Sequence, residues 1–341
     1  MLFFFPPLAC ALYGLLLPYQ SVPIYLWISV FLILVYTCYS FISINYLTLS
    51  AEITCDYNKQ TTLVSFREAF ALIGISIGSI VPSFLLNRMD IIDAHFYTWL
   101  LFVALGMTAL TFFLFFSPKP IYQKASYEKI LPAVQLMIRE KNFKRLIYIN
   151  LLSSVAASLP ATIVLFYIQD VIQSVENYGL FLTLYFIPGL VGLPIWYSLS
   201  KKYSKRVAWM TGMVLTIISF IYAGFLGPGD VYQYGVICVL SGICLGADLS
   251  MPVSILSDLI SKQSNKGKYY GVWGMISKVS IAVAGSLGLL ILGLLGYHPD
   301  EAVTESSRYY VAMTYAIVPC IFKLLSLLML IKWDVEISEK D

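Results

Sequence analysis

The sequence predicts an all-α polytopic membrane protein, a bundle of about ten transmembrane helices split four and six by a central polar loop. Hydrophobic residues make up 59% of the 341 and charged ones only 12%, whereas a soluble domain carries about a quarter charged. Apolar runs close to twenty residues long recur along the chain, each able to cross a hydrocarbon core about 30 Å thick. Stretches such as 96–116 are apolar on every face, which excludes the alternating pattern of a β-barrel.

The spans are read in order at 2–17, 24–49, 66–86, 96–116, 146–171, 178–199, 207–226, 233–259, 269–296 and 309–331. The first is short, rising only about 24 Å as a helix, and Pro6 and Pro7 stand near its start. No basic segment precedes it, so it does not read as a cleavable signal peptide. Span 66–86 carries Gly74 and Gly78, and span 233–259 carries Gly242 and Gly246; both are GxxxG pairs expected to let helices approach closely. Span 146–171 ends in Gln169 and Asp170, expected at the interface. Span 178–199 is expected to be interrupted by Pro188, Gly189, Gly192 and Pro194, and Pro252 removes the helical bond to the Asp248 carbonyl.

Basic residues orient the bundle, because they are retained on the cytoplasmic side. The loop 117–145 holds Lys119, Lys124, Lys129, Arg139, Lys141, Lys144 and Arg145. If it is cytoplasmic, then of the 22 basic residues only Arg88 and Arg308 fall in the opposite loops, with Lys278 and Lys323 inside spans. Both termini are then cytoplasmic. The expected division is an incomplete four-span bundle over 1–116, a connector over 117–145, a six-helix bundle over 146–331 and a tail over 332–341.

Ionisable groups within spans are expensive and mark sites by default. Asp248 and Lys278 lie at similar depth, at about 16 and 13 Å from the ends of their helices, and are expected to pair across the interior of the second bundle. Lys323, eight residues from the end of the last span, is close enough for its stem to snorkel to the interface. The six cysteines show no metal-type spacing, and His95 and His298 make no metal site. No GxxxxGK[ST], GxSxG or HExxH motif is present, so neither an enzyme nor a bound cofactor or metal is expected.

A long basic loop between two bundles is the layout of major facilitator transporters, and two segments sharpen the likeness. Residues 45–74, NYLTLSAEITCDYNKQTTLVSFREAFALIG, carry Glu52, Asp56, Arg67 and Gly74, and residues 266–297 carry an aromatic pair, a tryptophan, Lys278 and a terminal Gly-Tyr. These resemble the glycoside-pentoside-hexuronide:cation symporters, the melibiose-permease-like branch of that superfamily. The likeness matches the chain to the family's helices three through twelve, and its first two helices have no counterpart. It implies a sugar and a sodium ion or proton bound between two halves. The arginine and lysine matched by Arg67 and Lys278 then support the polar site, and Glu52 and Asp56 form a cytoplasmic loop motif. The family's fourth-helix acidic position falls on Ser43, so the family's own cation route is not reproduced.

The expected function is cation-coupled symport of a small organic solute, most simply a sugar or glycoside, by alternating access in a cell membrane. Sodium or a proton would be the coupling ion. Partners are the solute and the lipid bilayer, with no nucleic acid, and a monomer suffices. The alternative is a transport-inactive remnant or a partner-binding membrane scaffold.

Overall fold

A computed structural model of the chain describes residues 3–19, 22–53, 57–86, 88–116, 140–261, 263, 266–298 and 304–333. Most of the central loop, Asp56 and the side chain of Glu52 lie outside these. The described residues form ten α-helices: α1 (Phe5–Leu16), α2 (Ile24–Ile53), α3 (Tyr57–Leu86), α4 (Ile91–Phe116), α5 (Lys141–Phe166), α6 (Tyr178–Lys202), α7 (Lys205–Ala223), α8 (Val231–Leu259), α9 (Lys266–Leu294) and α10 (Glu305–Ile331). No strand occurs among them. Nine are long and apolar enough to span a membrane. The exception is α1, whose 12 residues rise only about 18 Å.

The chain divides into two compact units. One comprises the described residues within Met1–Cys55, Gly74–Ser126 and Ser264–Gly271; the other those within Asp56–Ile73, Tyr127–Gln263 and Val272–Asp341. In the first, α2 and α4 both pack on α1. Two indoles fasten them, Trp27 Nε1 donating to the Gly14 carbonyl at 2.6 Å and Trp99 Nε1 to the Ala9 carbonyl at 2.8 Å. Gly14 leaves room for the Phe31 ring and Gly106 for Phe5, so aromatic bulk on one helix fills a notch on the next.

The second unit holds α5 to α8 and α10. Its closest contact is between α6 and α8. A Cβ on Gly242 would lie 2.2 Å from the Tyr185 carbonyl oxygen, and one on Gly192 2.5 Å from that of Ile243. Here the GxxxG expectation holds. A Cβ on Gly74 or Gly78 meets nothing within 4 Å among the described residues, so that pair makes no such contact. Nor do Pro188 and Pro194 break their span, since α6 is continuous from Tyr178 to Lys202. Each proline removes one backbone bond within the helix, and α6 is held against α8 by Trp196 Nε1 donating to the Ile243 carbonyl at 2.6 Å.

The real departure from α-geometry comes after α5, where Tyr167–Ile172 form a π-helical turn. That turn fastens one end of the unit. Tyr167 Oη donates to the Ala223 carbonyl at 2.6 Å, the Gly229 amide to that of Ile172 at 3.0 Å, and Arg308 Nε to that of Asp170 at 3.2 Å. At the other end, Arg206 donates to the Leu330 and Ile331 carbonyls at 3.2 and 2.6 Å, and Arg145 to that of Lys332 at 2.7 Å. The last carbonyls of a helix lack partners within it and carry partial negative charge. Guanidinium groups from the starts of α5 and α7 supply both needs.

Adding one methyl group separates the two glycine pairs. Gly242→Ala should destabilise the purified protein by about 1–3 kcal/mol through overpacking against backbone. Gly74→Ala should stabilise it by about 0.5–1 kcal/mol by restricting the unfolded chain. Thermal unfolding in detergent reads both signs.

Candidate functional site

Three helices of the second unit, α5, α7 and α10, place polar groups around the Asp248 carboxylate, which α8 carries near its middle. Lys323 Nζ of α10 lies 2.5 Å from Oδ2. Trp209 Nε1 of α7 donates to Oδ1 at 3.1 Å, and Ser153 Oγ of α5 reaches the same oxygen at 3.3 Å. Lys323 also donates to Ser153 Oγ at 2.9 Å, which closes a ring of three side chains. The lysine side chain is 1% exposed and the aspartate 12%.

The register of α5 against α10 delivers the lysine. These antiparallel helices are matched by Trp333 with Asn142, Lys332 with Arg145, Ser326 with Ile149 and Lys323 with Ser153. A cavity of about 20 Å³ adjoins the pair, bordered by Tyr185, Thr216, Ser241 and Cys320 on its polar side. That is room for one or two waters. Three positions before Ser153, the buried Asn150 leaves its Nδ2 without an acceptor among the described residues.

Asp248 was singled out from the sequence with Lys278 as its expected partner; the structure gives it Lys323 instead. Lys278 is half-buried on α9 and engaged elsewhere. The physical reason is that helical depth alone cannot choose between two lysines when the helix register is unknown. Lys323 therefore does not snorkel, because a carboxylate within reach offers its ammonium more than the distant interface does. Arg67 lies on α3 and pairs with its neighbour Glu68, while its Nη1 is buried with no acceptor among the described residues. Asp248 and Arg67 are thus each placed in a polar contact, but no described contact joins Arg67, Asp248 and Lys278 into one cluster.

Two further polar groupings in this unit were not foreseen. Lys205, the first residue of α7, donates to both oxygens of Asp258 near the end of α8, at 2.8 and 2.7 Å. Each charge stands at the helix end whose dipole disfavours it, so each neutralises a local penalty of the other. Asp170, at the end of its span, is 2% exposed and accepts the Tyr297 hydroxyl. Burial, reinforced by the adjoining Asp170 carboxylate, pushes the Tyr297 phenol well above its ordinary range, so this hydroxyl remains a donor. Among the described residues no group of three or more His, Cys, Asp or Glu could hold a metal.

A profile of the MFS/sugar transport proteins matches residues 1–336. The chain belongs to that family. An uncharacterized symporter of Bacillus subtilis (strain 168) is 21% identical over 295 residues, 83% of this chain and 64% of the relative. A glucuronide carrier protein homolog of Escherichia coli (strain K12) is 20% identical over 319 residues, 89% of this chain and 68% of the relative. The chain thus spans roughly two thirds of the length of these relatives. The fold is similar to the crystal structure of the E. coli fucose:proton symporter FucP, with a TM-score of 0.63 at 13% identity, covering 95% of this chain and 82% of that one. A bacterial homologue of the iron transporter ferroportin, in an outward-facing state, gives 0.64 at 14% identity over 90% and 72%. This MFS chain is an integral membrane protein, and its family and fold are those of transporters, not of an enzyme.

Removing one partner of a buried ion pair leaves an uncompensated charge, whereas removing both does not. Lys323→Gln should therefore lower stability by about 3–5 kcal/mol, and Asp248→Asn/Lys323→Gln should recover most of the loss. Thermal unfolding of the two variants checks this; equal losses would mean that charge compensation is not what holds the pair.

Proposed function

We propose that the chain carries a small organic solute, a sugar or glycoside, together with a cation across a cell membrane by alternating access. The observation that carries this reading is the Asp248–Lys323 pair, sequestered with Trp209 and Ser153 among apolar helices and next to a water-sized cavity. Apolar side chains would hold four helices together at no desolvation cost, so retained charge in a membrane interior points to binding or to ion movement. Family membership supports the transport class. The names of the relatives, a symporter, a glucuronide carrier homolog and a fucose:proton symporter, support a sugar-like cargo and a coupling cation.

On this reading Arg67 and Lys278 serve the solute, donating to hydroxyl or carboxylate oxygens, and Asp248 serves the cation. Solute and cation together shift an inward/outward equilibrium by binding its two states unequally. The excess of Lys and Arg in alternate loops supports cytoplasmic termini.

Purified protein in proteoliposomes should accumulate a labelled sugar or glucuronide when an inward proton or sodium gradient is imposed. Arg67→Ala and Lys278→Ala should each reduce that uptake at least tenfold while insertion is unchanged. Uptake that is absent under every gradient and solute tried would instead favour a membrane scaffold without transport activity.

A further inference from the structure

Among the described residues, every polar atom hydrogen-bonded to Asp248 is a donor: the Trp209 indole and the Ser153 hydroxyl at Oδ1, the Lys323 ammonium at Oδ2. A metal cation at this carboxylate would face an N–H and an ammonium, both positive, where it requires several oxygen ligands. The adjoining cavity of about 20 Å³ has room for one or two waters. A proton needs only an oxygen lone pair and a water to deliver it. Ser153 already accepts from Lys323 while it neighbours Oδ1, and such a hydroxyl can act as donor or acceptor. The unpartnered amide of Asn150, on the same side of α5, shows that the polar side of this helix is not fully satisfied from within.

We propose that Asp248 is the proton-accepting group of the second unit, with Lys323 as a tethered counter-ion that the incoming proton displaces. This rests on the cation-coupled reading above and names its cation and its acceptor. A hydronium in the cavity gives its proton to Asp248 Oδ2 and remains as water. The Nζ–H···Oδ2 bond breaks, and Lys323 keeps its proton and its contact with Ser153. The freed N–H turns to the cavity water, and the net charge of the pair rises from zero to plus one. An ammonium released in this way can bind an acceptor oxygen of a solute. By reciprocity, solute at Lys323 then favours the proton at Asp248 to the same degree. Trp209 is a positioning residue, holding Oδ1 so that Oδ2 is left for the exchange. The titratable groups facing Asp248 are Lys323 and Cys320 from α10, Tyr185 from α6 and Cys244 from its own helix. From α5 and α7 it meets Ser153 and Trp209, which do not titrate.

Infrared difference spectroscopy on the purified full chain, without solute, tests this between about pH 8 and pH 4, a window that brackets carboxyl titration. Acidification should produce a protonated-carboxyl band that is lost in Asp248→Asn and kept in Asp170→Asn. Trp209→Phe should shift its midpoint without removing it. If Asp248→Asn does not fold, Asp248→Asn/Lys323→Gln, which leaves no unpaired charge, should lack the band instead. A band that persists without Asp248, or that never arises while the wild type stays folded, overturns the proposal. No solute enters the experiment, so its outcome is independent of uptake. A band without any uptake would remove the carrier reading and leave the proton site, whereas sodium-driven uptake without a band would do the reverse.

Discussion

A carboxylate taken out of water must be matched by donors on the spot, and at Asp248 the donors come from three other helices. The ammonium of Lys323, the indole of Trp209 and the hydroxyl of Ser153 converge on two oxygens, tying α5, α7, α8 and α10 at one point. Because hydrocarbon supplies no substitute partners, none of these helices can rotate or slide appreciably without leaving a polar group bare. The apolar packing tolerates many registers; this cluster tolerates one.

The rest of the second unit is arranged compatibly. Glycines at 192 and 242 bring α6 and α8 to backbone contact, which holds α8 at the depth Asp248 requires. The arginines at 145 and 206 fix the final carbonyls of α10, which sets the height of Lys323 eight residues earlier. Lys205 and Asp258 join the start of α7 to the end of α8, so Trp209, one turn on, is presented to the carboxylate. Short-range devices at the helix ends and the long-range pair in the middle specify the same register.

Much of this was legible in the sequence. Unbroken apolar runs located the spans because a helix in lipid satisfies its own backbone, and the rarity of charge within them made Asp248 and Lys278 stand out. The partner of Asp248 was not legible. Lys278 and Lys323 both lie within reach by depth, and only the antiparallel register of α5 with α10, set by contacts such as Ser326 with Ile149, decides for Lys323. The GxxxG pattern was a guide at Gly242 and not at Gly74, since small residues permit a close approach without supplying the neighbour. Pro188 and Pro194 suggested a break, yet α6 runs on through both, while nothing in YIQDVI announced a π-helical turn.

That turn has a geometric effect beyond its own six residues. An extra residue taken into a helix advances every following side chain by about 100° around the axis, so a position due to face outward is carried inward. Asp170, within the turn, accepts the Tyr297 hydroxyl. The same slip aims the Ile172 carbonyl at the Gly229 amide. The turn that follows α5 thus acts as a cam: a small local insertion, converted into rotation, seats the segments that follow α7 and α9 against a single helix.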